Sequence, residues 1–106
     1  MGKGVLVVFS NPIEPSREAE YNKWYDEIHV PDVVALPGFT GARRFKNTGI
    51  GGPASHGYLA IYDYDGEPDK AMAALGAGVQ SGAVRMADAP LQMDPPPAMV
   101  VWEQIS

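Results

Sequence analysis

His29 is the residue best suited to chemistry in this sequence, and three other side chains share its helical face. At the α-helical advance of about 100° per residue, Glu18, Asn22, Tyr25 and His29 form one stripe. An imidazole with one nitrogen held by a carboxylate, a carbonyl or water can act as a general base near neutral pH. The stripe therefore predicts His29 as a catalytic base. The alternative is that His29 closes its helix, binding the last carbonyls or complementing the helix dipole before Pro31.

Tyrosines supply the hydrogen-bond donors that such a base would need beside it. Tyr25 is predicted as the second catalytic residue, because a phenol can donate a hydrogen bond to a developing enolate. Tyr58 and Tyr62 alternate around Ala60 on a predicted strand, which leaves room for a planar ligand or for a helix. Aromatic residues at helical spacing can instead form core. The predicted substrate contacts are Tyr21, Asn22, Trp24, Tyr58, Tyr62 and Arg43.

Arg43 and Arg44 must point to opposite faces of a predicted strand. One of them therefore faces the sheet interior or a subunit interface, where a guanidinium needs a carboxylate partner. A substrate carboxylate and a carboxylate of another subunit both satisfy that need, and both alternatives stay open.

The remaining motifs argue against metals and cofactors. The two histidines have no metal-ligand spacing around them, so no metal is predicted and His56 is interpreted as a solvent-exposed loop residue. The glycine-rich loop 49–52 lies between two strands, not before a helix, so it lacks the geometry of a phosphate cradle. No cofactor is expected.

The elements that position these residues follow the order strand, helix, strand, strand, helix, strand. The apolar run 5–9 predicts a strand covered on both faces. A helix beginning at Ser16 is predicted to end or kink at His29-Val30, because Pro31 cannot donate a helical hydrogen bond. The other predicted elements are strands at 39–46, 57–63 and 99–105 and a helix from Pro68. Residues 76–93 are left without a firm assignment, with a short helix or a mobile flap at 81–86.

This order is the split βαβ pattern of an α+β, ferredoxin-like βαββαβ sandwich with an antiparallel sheet and both helices on one face. The 106 residues predict a single domain. The other face of the sheet carries apolar side chains that must be buried. Two sheets packed face to face across a two-fold axis would bury them, so a homodimer is predicted.

Composition narrows the classes of partner. The net charge of −5 and the single adjacent basic pair argue against nucleic-acid binding. The absence of cysteine fits a reducing cytoplasm and removes thiolate chemistry. No apolar run reaches the length of a membrane span and no secretory signal is recognised, so neither is expected.

The run E-Y-N-K-W-Y-D-E-I-H-V-P at 20–31, followed by L-P-G-F at 36–39 and R-R-F at 43–45, resembles the dimeric α/β-barrel proteins, particularly their EthD-like branch. Those proteins carry a W/Y-x-x-x-H-x-P run at the end of the first helix and P-G-F at the start of the second strand. The resemblance implies a dimer of face-to-face sheets and places the matching histidine, His29, at a pocket. It names no single reaction, because the superfamily includes cyclases, isomerases, dehydratases, monooxygenases and proteins without known activity.

Three functions fit these observations. The first is a cofactor-independent enzyme of proton-transfer type (cyclase, isomerase, dehydratase or lyase) that acts on an aromatic or polyketide-like molecule. In it, His29 removes a proton next to a carbonyl and Tyr25, with Asn22 or Tyr58, steadies the enolate. The second is a cofactor-free monooxygenase, in which the substrate carbanion itself reduces oxygen. The third is a non-catalytic ligand carrier or stress-type oligomer.

Overall fold

The elements occur in the order that the sequence predicts. A computed structural model describes residues 2–52 and 54–106. The strands are β1 Lys3–Ser10, β2 Phe39–Lys46, β3 Tyr58–Asp65 and β4 Ala98–Glu103. The helices are α1 Glu18–Trp24, α2 Val30–Val34 and α3 Pro68–Ser81, with a 3₁₀ turn at Pro15–Arg17 and a π-helical segment at Tyr25–His29. The strands pair antiparallel in the order β2-β3-β1-β4, which confirms the ferredoxin-like α+β fold.

The inner face of the sheet, which packs on the helices, follows the two-residue period of the strands. On β3 the buried side chains include Tyr58, Ala60 and Tyr62, as the alternation predicts. Leu6 of β1 lies opposite Tyr62 and Val8 lies opposite Ala60. Together with side chains of the helices, these residues form the hydrophobic core.

The outer face of the sheet is open in the single chain. Val5, Val7 and Phe9 of β1 are only partly buried, so the prediction that both faces of this strand are covered is wrong for one subunit. The register of the strands places Val5 opposite exposed Trp102 and Val7 opposite exposed Val100. We call this apolar surface the outer face; it comprises Val5, Val7, Phe9, Phe45, Leu59, Ile61, Val100 and Trp102.

The sequence predicts that the first helix ends or kinks at His29-Val30; the helical region does not end there but changes from a π-helical segment to α2, which continues to Val34. Pro31 has no N–H to offer the carbonyl four residues before it. The chain absorbs this loss in the wider π turn, in which the Val30 N–H donates to the Tyr25 carbonyl. Ser16 does not cap the helix, because it lies inside the 3₁₀ turn that precedes α1. The π turn therefore allows the helical region to continue past Pro31.

Of the residues 76–93 that the sequence leaves unassigned, 76–81 belong to α3, and the segment 82–97 that follows α3 packs against α2 and the residues after β1. Gly82, at φ +84°, ends α3 in the left-handed conformation. The Arg85 guanidinium then donates two hydrogen bonds to the Asp32 carboxylate, at 3.0 and 2.9 Å. Further along, the Asn11 side-chain amide donates to Gln92 at 3.1 Å. These contacts tie the segment to α2 and to the end of β1.

Within the described residues, α1, α2 and α3 are all shorter or more polar than a helix that crosses a bilayer would have to be.

Candidate functional site

A cavity of about 490 Å³ lies between the inner face of the sheet, the π-helical segment, α3 and the segment 82–97. That volume is in the range of small-molecule sites in proteins. Its wall is mostly apolar and contains four methionines, which adapt easily to different shapes. The methionines are Met72, Met86, Met93 and Met99, and the polar side chains of the wall are His29, Tyr25, Tyr62 and Gln80.

His29 lies in this wall and is only 9% exposed. Its ring stacks on Trp24, with centroids 4.7 Å apart and an interplanar angle of 18°, and meets Tyr25 edge-on at 5.1 Å. Burial lowers the pKa of His29 to about 4, although the Asp32 carboxylate opposes the shift. The imidazole is therefore neutral at pH 7.

The surroundings of His29 also bear on the alternative that it closes its helix. The side chain makes no capping hydrogen bond, and the helical region runs on past it. Its Nδ1 is buried without a hydrogen-bond partner. A buried polar atom without a hydrogen-bond partner lowers the free energy of unfolding by roughly 1–3 kcal/mol. A helix-end stopper would have its nitrogen engaged, so the capping alternative is wrong.

Tyr62 also lines the cavity and has a second buried polar atom without a partner. Its ring meets the His29 ring edge-on with centroids 6.4 Å apart. The Tyr62 hydroxyl is buried without a partner, and burial raises the pKa of this phenol far above its ordinary value. Tyr62 therefore remains a neutral hydrogen-bond donor at any physiological pH.

Tyr25 lines the cavity with its ring, but its hydroxyl is already engaged. Ser10 Oγ lies 3.1 Å from the Tyr25 hydroxyl and 2.5 Å from the Tyr21 hydroxyl. Tyr21 is fully buried beside this pair, and burial raises the pKa of Tyr21 to about 12. The free phenol of the cavity is therefore that of Tyr62, not that of Tyr25.

Asn22 and Tyr58 lie outside the cavity, in a second depression that we call the polar cleft. The Arg44 guanidinium donates to Asn22 Oδ1 at 2.9 Å and to Asp26 Oδ1 at 3.1 Å. It also lies over the Tyr25 ring, 4.4 Å from its centroid, on the side away from the cavity. The polar cleft comprises Glu18, Asn22, Asp26, Arg44, Phe45, Lys46 and Tyr58.

Each charged group of the polar cleft has a partner of its own. The Tyr58 hydroxyl donates to the Glu18 carboxylate, and this bond is the main reason that the pKa of Glu18 is lowered. Lys46 Nζ lies 3.5 Å from the same carboxylate. The charges of the cleft therefore neutralise one another, and none of its charged groups lacks a partner.

Two of the remaining predicted contacts also lie away from the cavity. Arg43 is on the opposite side of the sheet from Arg44, where it forms an exposed ion pair with Asp63 at 3.2 Å. Trp24 packs on the ring of His29 without reaching the cavity wall. Of the predicted site residues, the structure brings together three in the cavity, namely His29, Tyr25 and Tyr62.

His56 does not lie fully in solvent, as the sequence predicts, but is half-buried. Its Nδ1 lies 2.7 Å from Ser55 Oγ, and its ring is 6.2 Å from that of Phe9. In the described part of the chain, no three His, Cys, Asp or Glu side chains come close enough together to hold a metal ion.

Sequence reasoning missed Ser10, Arg44 and the methionines of the wall. Ser10 ends β1 at a buried, inner-face position, where a hydroxyl signals a buried hydrogen bond. Arg44 was recognised as a partner of Arg43, but which of the two faces the helices depends on the strand register. Five methionines in 106 residues were a signal for an adaptable apolar wall.

Comparisons with known proteins agree with this fold. No protein-family model matches the sequence, and no curated protein matches it significantly. A crystal structure of an ethyl tert-butyl ether D (EthD) family protein from Bacillus halodurans is similar, with a TM-score of 0.65, 17% identity, and coverage of 99% of this chain and 100% of that one. A protein of Shewanella loihica, described as a candidate monooxygenase, has a TM-score of 0.59, 15% identity, and coverage of 100% and 98%.

A third similar structure is that of the monooxygenase from the gene ActVA-Orf6 of Streptomyces coelicolor, in complex with the ligand nanaomycin D. Its TM-score is 0.61, at 19% identity, with coverage of 99% of this chain and 88% of that one. At such identities the likeness shows the fold. The ferredoxin-like fold that the resemblance implies is thereby confirmed.

Proposed function

We propose that this protein is a cofactor-independent enzyme that removes a proton from a small aromatic or polyketide-like molecule, with His29 as the base. The observation that carries the proposal is the neutral, buried imidazole in the wall of a 490 Å³ apolar cavity. Cyclases, isomerases, dehydratases and lyases can all use such a proton transfer as their first step.

The proposed step uses two groups of the wall. The imidazole of His29 takes a proton from a carbon next to a substrate carbonyl, and the electron pair of the broken C–H bond moves into the carbonyl to give an enolate. The Tyr62 hydroxyl then donates a hydrogen bond to the enolate oxygen. Such a bond is worth more in an apolar surround than in water.

The low pKa of His29 is compatible with this role. Burial disfavours the imidazolium form of His29, and the Arg44 charge adds to that effect. When the proton arrives, an enolate anion forms beside it, and the two opposite charges stabilise each other at short range. The cavity therefore favours a proton transfer that creates both charges together.

The test is hydrogen–deuterium exchange of 2-tetralone, a bicyclic ketone with a benzylic C–H next to its carbonyl. We expect the protein in D₂O to accelerate loss of the benzylic proton NMR signal. His29→Ala should slow this exchange by about 100-fold or more, whereas the control variant His56→Ala should not. Equal exchange rates for His29→Ala and wild type would refute the base. Binding without exchange would favour the ligand carrier.

A cofactor-free monooxygenase is the second candidate, favoured by the similar structures of two proteins described as monooxygenases. It requires the same base, because the carbanion formed by proton removal is the species that reduces oxygen. An oxygen electrode separates the two candidates. Oxygen uptake that depends on both the ketone and His29 supports the monooxygenase, and exchange without oxygen uptake supports the proton-transfer enzyme.

We also propose that two copies of the chain pair through the outer face. That face exposes apolar side chains, including Trp102 at 57% and Val100 at 44%, and a second copy would bury them. Gel filtration should give about twice 11.4 kDa. Ile61→Lys, in the middle of the outer face, should shift the protein to the monomer, and a wild-type monomer at micromolar concentration would refute the pairing.

A further inference from the structure

We infer that the cavity accepts neutral carbonyl compounds and rejects carboxylates of the same shape, with Tyr62 as the residue that recognises the carbonyl oxygen. The inference rests on the proposed function, since it concerns the same cavity. It goes beyond it by naming the charge state of the ligand and the residue that selects it.

The first argument is the composition of the wall. No Lys, Arg, Asp or Glu is among the described residues that line the cavity. At pH 7, where His29 is neutral, a carboxylate that enters this space loses part of its water and gains no charged partner, which disfavours binding. A ketone of the same size loses far less hydration and keeps its apolar contacts.

The second argument concerns the nearest charges outside the wall. Arg44 lies behind the Tyr25 ring and is already bonded to Asp26 and Asn22. Arg85 is bonded to Asp32 in the same way. Neither guanidinium is left without an acceptor of its own. The Asp32 carboxylate and the Arg44 guanidinium both act on His29 electrostatically, and their effects on an anion at that position oppose each other.

The third argument is the unpartnered hydroxyl of Tyr62. The residue is 1% exposed, and its oxygen has no hydrogen-bond partner in the protein. A carbonyl oxygen of a ligand would accept this bond and remove the cost of the unpaired donor. One neutral donor is enough for a ketone oxygen but does not replace the hydration of a carboxylate.

The experiment compares 2-acetonaphthone with 2-naphthoate, which have the same ring system but differ in charge. Calorimetry or ligand-observed NMR at pH 7 should give a dissociation constant about 100-fold lower for the ketone. Equal or tighter binding of 2-naphthoate would overturn the inference, as would a failure of the ketone to bind.

Two variants assign the selectivity to the cavity. Tyr62→Phe should raise the dissociation constant of the ketone by about 10-fold and leave that of 2-naphthoate unchanged. The control is Tyr64→Phe, since Tyr64 lies on the same strand but bonds to the Trp102 carbonyl outside the wall. Gln80→Lys introduces a cation into the wall at an exposed position and should raise the affinity for 2-naphthoate. Unchanged ketone affinity in Tyr62→Phe would contradict the role of Tyr62.

The outcome is separable from that of the exchange assay. Ketone binding with the expected selectivity, but without exchange of 2-tetralone, would refute the proposed reaction and support the ligand class. Exchange that depends on His29, together with preferred binding of 2-naphthoate, would support the reaction and refute the ligand class.

Discussion

The cavity and the polar cleft lie on opposite sides of the Tyr25 ring and treat polar groups in opposite ways. The cleft contains four charged side chains, and each of them has a partner. The cavity has few polar atoms. Two of them, Nδ1 of His29 and the hydroxyl of Tyr62, have no hydrogen-bond partner. A concentration of charges is thus a weaker sign of a binding site than a buried polar atom left unpaired in apolar surroundings.

This comparison has an energetic side. Paired groups in the cleft contribute to folding, whereas unpaired groups in the cavity oppose it. We therefore expect changes in the cleft to lower stability without affecting exchange of 2-tetralone, and changes in the cavity to affect binding or exchange while leaving stability equal or higher. The predictions below test this contrast, from the largest expected effect to the smallest.

Lowering the pH should lower the free energy of unfolding, because the buried imidazole of His29 resists protonation in the folded chain. The pKa of His29 is lowered from 6.5 to about 4, so below pH 6.5 the unfolded chain binds a proton that the folded chain refuses. Stability should therefore fall as the pH drops from 6.5 towards 4, by about 2–3 kcal/mol. Urea unfolding at several pH values measures this loss.

The control for the acid experiment is His29→Gln, which should flatten the dependence between pH 6.5 and 4.5. Glu18 and Asp32 also titrate, but their lowered pKa values confine their losses to more acidic solution. A pH dependence in His29→Gln equal to that of wild type would show that the imidazole is not the group responsible.

Arg44→Ala should produce the largest loss of stability in the cleft. It removes hydrogen bonds to Asn22 and Asp26 and the contact of the guanidinium with the Tyr25 ring. We expect a loss of about 2 kcal/mol, measured by urea unfolding. The exchange rate of 2-tetralone should change less than 3-fold, since Arg44 does not line the cavity. If a folded Arg44→Ala variant lost the exchange activity, the polar cleft would have to be counted as part of the site in the cavity.

Removing the hydroxyl of two buried tyrosines should have opposite effects on stability. Tyr62→Phe deletes an unpartnered donor and should raise stability by about 1 kcal/mol. Tyr21→Phe deletes a hydroxyl that lies 2.5 Å from Ser10 Oγ and should lower it by about the same amount. Thermal unfolding of the pair measures the difference. The same sign in both variants would mean that the Tyr62 hydroxyl is satisfied in solution.

Lys46→Ala should have the smallest effect. Its ion pair with Glu18 is exposed, at 3.5 Å, and such pairs contribute less than about 1 kcal/mol. We expect unchanged exchange of 2-tetralone and a barely shifted melting curve. A loss of binding in this variant would make the cleft part of the site.

Much of the fold was predictable because its signals are local. The order of elements, the bounds of β2 and the alternation of Tyr58 and Tyr62 follow from a two-residue period interrupted by Pro and Gly. The helix beginning at Pro68 follows from the fixed φ of proline at a first helical position.

The site was predictable only in part because the helix is not uniform. A regular α-helix places Glu18, Asn22, Tyr25 and His29 on one stripe. The π turn at Tyr25–His29 contains about one more residue per turn than an α-helix. The side chains before and after it therefore face two different regions of the molecule. Glu18 and Asn22 line the cleft, whereas His29 lines the cavity.

The segment 82–97 could not be predicted because it has no periodic pattern. Its position depends on contacts between residues distant in sequence, such as Arg85 with Asp32 and Asn11 with Gln92. Such contacts are decided by the assembled structure, and nothing in the local sequence announces them. The outer face was visible as a surplus of apolar strand residues, but its exposure required the sheet register.

The tie between Arg85 and Asp32 also bears on how this protein could diverge. The segment 82–97 supplies Met86, Met93 and two prolines to the wall, whereas the base is fixed on a helix. Substitutions or length changes in such a surface loop are well tolerated. Descendants of this chain could therefore acquire new substrates by altering the loop alone, while inheriting the histidine and its chemistry intact.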